Sequence, residues 1–341
     1  MKLAPAAPVD SKQILLSVFE LLWIDSASHF SFSGGEATGS RLQVEPVIQA
    51  QSGPLALALR DAIYARCFAR PFADFTTTDR AESIAGTRDG IARRFSAANH
   101  GSDGWLTGWS VVEIGEDRTL VVAKGKSRLT CRPGDYVMTF YEDMPPRAGC
   151  AVTVCHRKES FTLQDGVYYA FGNSLAKAED EACTLRIYFN ASQEPAVAIF
   201  EVMTSELNRQ HVPFTLKSML RAQDQDRADA TLLYIPATRY LILKDLLEKF
   251  SSTLQASLKP GVPLFTKRLR DGVGLAESPT HGESFGMHRS RLVAEACVDA
   301  WLDGAQDART RLAYTETRFE AEGLSLARPY LNPGSRDVYE I

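Results

Sequence analysis

The residues with the types and spacing for chemistry begin in the stretch 213–236. Lys217 sits among Phe214, Leu216 and Met219, Arg227 follows, and Tyr234 lies within the apolar run 230–235. A cation in an apolar strand is costly unless it is paired. A desolvated lysine also releases its proton more readily, which makes it a candidate base. Arginine offers a planar fork that binds two oxygens of one anion at once. A tyrosine hydroxyl can donate to an oxygen that is gaining charge. The competing reading places Lys217 on the outward side of an alternating strand, with its amine in water.

Other cations need weighing. The segment Gly282-Glu-Ser-Phe-Gly-Met-His-Arg289 reads as a loop that opens a helix. Helix N-termini bind anions through free backbone N–H groups. His288, Arg289 and Arg291 in the first turns oppose the helix dipole, so an anion is expected beside them, either a carboxylate or a phosphate. Thr266-Lys267-Arg268 reads as a solvated turn that can add charge, and Asn332–Arg336 reads as a structural turn. His29, His100, His156, His211 and His281 lack convergent neighbours. The six cysteines contain no CxxC pair and read as free thiols. No ligand cluster for a metal is visible, and no cofactor is expected.

These residues must be positioned by a mixed set of elements. Helical spacing predicts helices over 11–23, 54–68, 80–99, 196–208, 240–258, 285–301 and 305–320, and residues 27–52 read as loop. Short β-branched runs over 108–157 predict an antiparallel β element. VYYAFGN, LRIYFNAS and the two runs around Lys217 and Tyr234 predict further strands. The fold class is therefore α+β, with a helical and antiparallel-β N-terminal region (1–157) open to peptide or partner binding. A C-terminal α/β lobe (158–341) holds the chemistry.

At 341 residues, with 45% hydrophobic and 23% charged residues, the chain has the composition of one large or two ordinary soluble domains. The net charge of −4 gives no global signal for nucleic acid. No apolar run has the length of a membrane span. Asp10, Lys12 and Glu20 interrupt any signal-peptide core, so a cytoplasmic location is expected.

The motifs VPFTLKSML, DRADATLLYIP, PLFTKRLRDGVGLAESP, GESFGMHRSRLVAEA and RPYLNPGSRDVY together resemble the HopA family, first named for type III secreted effectors of plant pathogens. Related stand-alone proteins occur in clusters for class V lanthipeptides and thioamitides, beside a kinase that resembles aminoglycoside phosphotransferases. The resemblance implies a lyase that eliminates phosphate from phosphorylated Ser or Thr of a precursor peptide, giving dehydroalanine or dehydrobutyrine. The partners it implies are that phosphorylated peptide and that kinase.

The same segment more distantly resembles phosphothreonine lyases of the OspF and SpvC kind. By that resemblance Lys217 matches the base, Arg227 matches a phosphate-binding arginine, and Tyr234 approximates the family tyrosine. The family's Lys-x-His strand reads here Arg186-Ile-Tyr188, so its histidine acid is missing from its place. Tyr188 and His288 are then the candidate acids, with His288 slightly favoured, and Arg186, Lys267 and Arg289 join the candidate phosphate contacts. Two other readings stay open: an effector acting on a host phosphoprotein, and a non-catalytic scaffold that binds leader peptide for the kinase.

Overall fold

The alternating and β-branched runs of this sequence assemble into two antiparallel sheets with helices on both faces of the larger one. They are seen in a computed structural model that describes residues 10–32, 53–70, 88–125, 127–139, 145–177, 180, 182–224, 226–280 and 282–340. The chain opens with helix α1 (Ser11–Leu21), whose N-cap Asp10 accepts from the backbone of Lys12 and Gln13, and then a small hairpin of β1 (Leu22–Ser26) and β2 (His29–Phe32). Helix α2 (Pro54–Ile63) starts on Pro54, where a missing N–H costs nothing, and runs into a π-helical turn, Tyr64–Phe68. Helix α3 covers Arg88–Ala98. The start of the helix expected over 80–99, most of the expected loop 27–52, and His281 lie outside the described residues.

Strands β3 (Gly104–Ile114), β4 (Leu120–Lys124), β5 (Ser127–Cys131), β6 (Tyr136–Met138) and β7 (Ala151–His156) form a five-stranded sheet in the order β5-β4-β3-β7-β6. Trp109, Val111, Leu120, Val122, Val152 and Val154 give it a core of its own. The second sheet has seven strands. In chain order its elements are β8 (Glu159–Ser160), β9 (Val167–Phe171), β10 (Thr184–Phe189), helix α4 (Gln193–Arg209), β11 (Thr215–Met219) and β12 (Thr231–Pro236). Helices α5 (Tyr240–Lys249) and α6 (Ser251–Ser257), strands β13 (Lys267–Arg270) and β14 (Val273–Glu277), and helices α7 (Phe285–Leu302) and α8 (Ala308–Ala321) complete it. The strand order is β13-β14-β10-β12-β11-β9-β8.

Period-two alternation divides this sheet into two faces. Leu185, Ile187, Leu216 and Leu233 point to one face and pack with Phe95, Ile199, Phe200 and Leu243. Tyr188, Leu232 and Ala276 point to the other, under Leu15, Leu59, Phe68, Phe285 and Phe319. N-terminal helices therefore share the cores of the C-terminal lobe, and within the first 157 residues it is the span 104–156 that builds a separate core.

Three local expectations change. The described part of the expected loop 27–52 carries strand β2, paired with β1, because Phe30 and Phe32 pack against the core shared by α1 and α2. The helix expected over 240–258 breaks at Phe250 (φ −101°, ψ 23°), where Ser251, Ser252 and Thr253 favour local hydrogen bonding over helix continuation. The expected turn at Thr266-Lys267-Arg268 instead leads into a hairpin, β13–β14, with Asp271-Gly272 at its turn. Gly272 has φ +73°, and a Cβ there would lie 2.5 Å from the Lys259 carbonyl oxygen, so only glycine fits.

Candidate active site

Register places the candidate residues in rows across the second face of the large sheet. Lys217 pairs with Tyr169 on β9 and Leu232 on β12, and Leu232 in turn pairs with Tyr188 on β10. One step along, Thr215 pairs with Tyr234, and Tyr234 with Arg186. Lys217, Tyr234, Arg186 and Tyr188 thus share one face of three adjacent strands, which lie about 4.8 Å apart.

Lys217 is not sealed in the core. It is half-buried, and its alternating strand buries Leu216 and Ser218 instead, so the competing reading of an alternating strand describes its backbone correctly. Its amine nevertheless has a defined setting: Nζ lies 5.7 Å from the Tyr169 ring centre and 5.6 Å from that of Tyr234. The same Tyr234 ring carries the Arg186 guanidinium at 5.4 Å on its other contact, and Arg186 Nε donates to Ser278 Oγ at 2.9 Å. Tyr234 therefore joins the lysine to the arginine. Burial pushes its hydroxyl above the ordinary tyrosine range, opposed in part by Arg186, so the hydroxyl keeps its proton.

Tyr188 is 2% exposed, beneath Phe68 (ring centres 5.6 Å apart) and Phe285 (6.5 Å). Burial raises its pKa, with the Arg186 charge and hydrogen bond pulling the other way.

Arg227 comes from the β11–β12 connection and is held in a clamp. Its Nε and one terminal nitrogen donate to the two Asp229 oxygens at 2.9 Å each, and that nitrogen also donates to the Tyr64 hydroxyl at 2.9 Å. Tyr64 donates to Asp229 at 2.7 Å, which closes a three-residue ring between the π-helical turn and the lobe. The Arg227 side chain stays 25% exposed while that of Asp229 is 6% exposed. Burial alone would lower the Arg227 pKa, but the Asp229 hydrogen bonds and charge outweigh it and the net shift is upward.

Three candidates do not converge as expected. Lys267 pairs with Leu275, which pairs with Ile187, so by alternation it points to the opposite face from Lys217. There it donates to both Asp337 oxygens at 2.8 Å. Arg289 is 1% exposed, and its donors go to the carbonyl oxygens of Pro329 (2.9 Å) and Leu331 (3.1 Å), so its partner is backbone and not an anion. Arg291 pairs with Glu283 and Glu295, the carboxylate alternative. His288 does stand near the start of α7, which Ser284 caps, but its Nδ1 lies 2.7 Å from an Arg289 terminal nitrogen. A guanidinium only donates, so Nδ1 must accept and carries no proton. That geometry opposes the imidazolium an acid would need.

Sequence reasoning missed Tyr169, Tyr64, Asp229 and Ser278. Tyr169 was visible in the strand VYYAFGN, but its pairing with β11 was not. Tyr64 joins the site across a separation no local pattern reports.

The HopA1 effector protein family matches residues 158–331, just over half of the chain. The chain belongs to that family. Solved structures similar to it include two effector proteins. One is the effector protein from Pseudomonas syringae pv. tomato strain DC3000, at 13% identity and TM-score 0.44, covering 81% of this chain and 96% of that one. The other is the effector protein from Pseudomonas syringae pv. syringae strain 61, at 12% identity and TM-score 0.41, covering 81% and 95%. No curated protein sequence matches. The HopA1-family segment contains every candidate residue above except Tyr64. Among the described residues no helix is long and apolar enough to cross a membrane, and no group of three His, Cys, Asp or Glu is placed to hold a metal ion.

Proposed function

We propose that this protein is a lyase that eliminates phosphate from phosphorylated Ser or Thr of a ribosomally made precursor peptide. The reading rests on one observation: Lys217, Tyr234 and Arg186 meet on a half-buried sheet face, with a single tyrosine ring touching both cations. In the reaction the Lys217 amine, acting as the base, takes the Cα proton, the electron pair forms the Cα–Cβ double bond, and the Cβ–O bond breaks. Phosphate leaves with that bond pair, and the dehydroamino acid remains in the peptide.

Arg186 supplies positive charge in advance where the leaving phosphate gains it, and such preorganised contacts are worth roughly 2.7–4 kcal/mol of barrier. Arg227 is the second candidate phosphate contact, through the part of its guanidinium that remains exposed. Tyr234, protonated and less buried than Tyr188, is the better-placed donor to the leaving oxygen. Location in the cytoplasm and a kinase partner resembling aminoglycoside phosphotransferases belong to this proposal.

Incubating the purified protein with a chemically phosphorylated Ser/Thr peptide, without kinase, tests it. Elimination yields inorganic phosphate together with a dehydroamino acid that adds a thiol reagent. A peptide carrying a restored hydroxyl would mean hydrolysis, and an unchanged phosphopeptide would mean no lyase. The family's effector description supports a second reading, in which the same chemistry acts on a host phosphoprotein. A folded phosphoprotein turned over in preference to free peptides would favour it.

A further inference from the structure

Between the two sheets runs a cleft of about 1010 Å³ that meets the site described above only at Tyr234. One wall is the inner face of the five-stranded sheet, through Leu106, Leu129 and Val154, and the other crosses the strand ends of the large sheet at Phe171, Thr215 and Tyr234. Thr215 and Tyr234 are register partners, two residues along their strands from the row of Lys217. The cleft therefore ends on the tyrosine that touches the catalytic lysine. At about 3.4 Å per extended residue, that step matches two residues of a bound peptide.

We propose that this cleft holds the segment of an extended peptide that begins two residues from the phosphorylated side chain, and that it selects apolar and basic residues there. This rests on the lyase reading for the position of the phosphate. Size supports the occupant, because the volume lies at the upper end of small-ligand pockets and suits several residues of chain. Lining chemistry supports it further. Phe161 and Leu163, 40% and 64% exposed, flank the mouth as apolar side chains with little cover.

The charges in the lining are mostly negative: Asp103, Asp135 and Glu159 stand against the cation Arg157, which pairs with Asp135 at 3.2 Å, while the buried Asp180 is already held by Thr238 and Arg239. An acidic cleft joined to a cationic catalytic face distinguishes the two ends of its substrate. The phosphate goes to Lys217 and Arg186, and Lys or Arg side chains go to the carboxylates. Glu-rich flanks are repelled.

Three probes test it: a phosphothreonine peptide with Leu and Lys flanks, the same peptide with Glu flanks, and N-acetyl-O-phosphothreonine methylamide, which is too short to reach the cleft. The variants are Leu163→Glu, at an exposed position, and Asp135→Arg, at a half-exposed one, with circular dichroism as the check on folding. The Lys-flanked peptide is expected to have a KM at least tenfold below that of the Glu-flanked one. Each variant should raise the KM of the Lys-flanked peptide about tenfold, with kcat unchanged and the short substrate unaffected. Equal KM values for the two flanks, or variants that leave the KM unchanged, overturn the proposal. If none of the three probes loses phosphate, the lyase reading fails, and the cleft is judged by fluorescence anisotropy of the labelled Lys-flanked peptide. Tenfold weaker binding in both variants then supports the cleft, and unchanged binding overturns it.

Discussion

Replacing Asp229 with Ala removes the centre of the ring that holds Arg227. The carboxylate accepts three hydrogen bonds, two from the guanidinium at 2.9 Å and one from Tyr64 at 2.7 Å. Losing one partner of a fully buried ion pair costs about 3–5 kcal/mol. Arg227 here is 25% exposed and keeps the Tyr64 hydroxyl, with Asp224 at 3.8 Å, so solvent and these partners recover part of that cost. The expected loss is about 2–3 kcal/mol, read as a lowered urea midpoint at constant slope. Because the two residues act as a unit, Arg227→Ala combined with Asp229→Ala should cost at least about 1 kcal/mol less than the sum of the single variants. The phosphopeptide affinity of Asp229→Ala should also fall, since the guanidinium is no longer aimed. A loss below about 0.5 kcal/mol, or simple additivity, would refute the clamp.

Arg186→Ala and Arg227→Ala should each weaken phosphopeptide binding by about 1.5–3 kcal/mol, one lost charge-assisted contact, and unchanged affinity in isothermal titration would mark that arginine as structural. Tyr234→Phe should slow kcat severely while His288→Gln stays active and keeps its alkaline limb, because His288 Nδ1 is occupied as an acceptor; a kcat that falls as pH rises only when His288 is present would restore the histidine as acid. Gly286→Ala should destabilise by about 1–3 kcal/mol, since a Cβ there meets the Phe68 ring at 2.5 Å over Tyr188. Burial pulls the Asp337 carboxyl up, but Lys267 and Tyr330 outweigh it and the net shift is below 3.8. The stability it gives is thus present above 3.8 and lost as pH falls through the depressed value, and Lys267→Met should reduce that acid-sensitive part, with Tyr330 and the Tyr339 backbone N–H keeping the rest.

Much of this arrangement was legible in the sequence because 231–236 is an apolar run that carries Tyr234, and Lys217 sits in the short strand 215–219 with Phe214, Leu216 and Met219 as its apolar neighbours. The sheet around them was legible for the same reason. Lys267 and Arg289 were misjudged because their partners, Asp337, Pro329 and Leu331, come from a C-terminal segment whose path no local pattern encodes. The charged run KRLRDG hid β13, although Asp271-Gly272 is a hairpin signal in its own right. Lys217 itself fits neither sequence expectation fully: its strand alternates as a surface strand does, yet its half-buried amine lies 5.7 and 5.6 Å from the ring centres of two tyrosines.

The most direct measurement is single-turnover elimination from a phosphothreonine peptide deuterated at Cα, comparing the wild type with Lys217→Ala. The account predicts a primary isotope effect on phosphate release in the wild type. It also predicts that release is abolished in a variant whose circular dichroism and phosphopeptide binding are preserved. Near wild-type release by Lys217→Ala would contradict it, because the Cα proton would then be leaving to some other base.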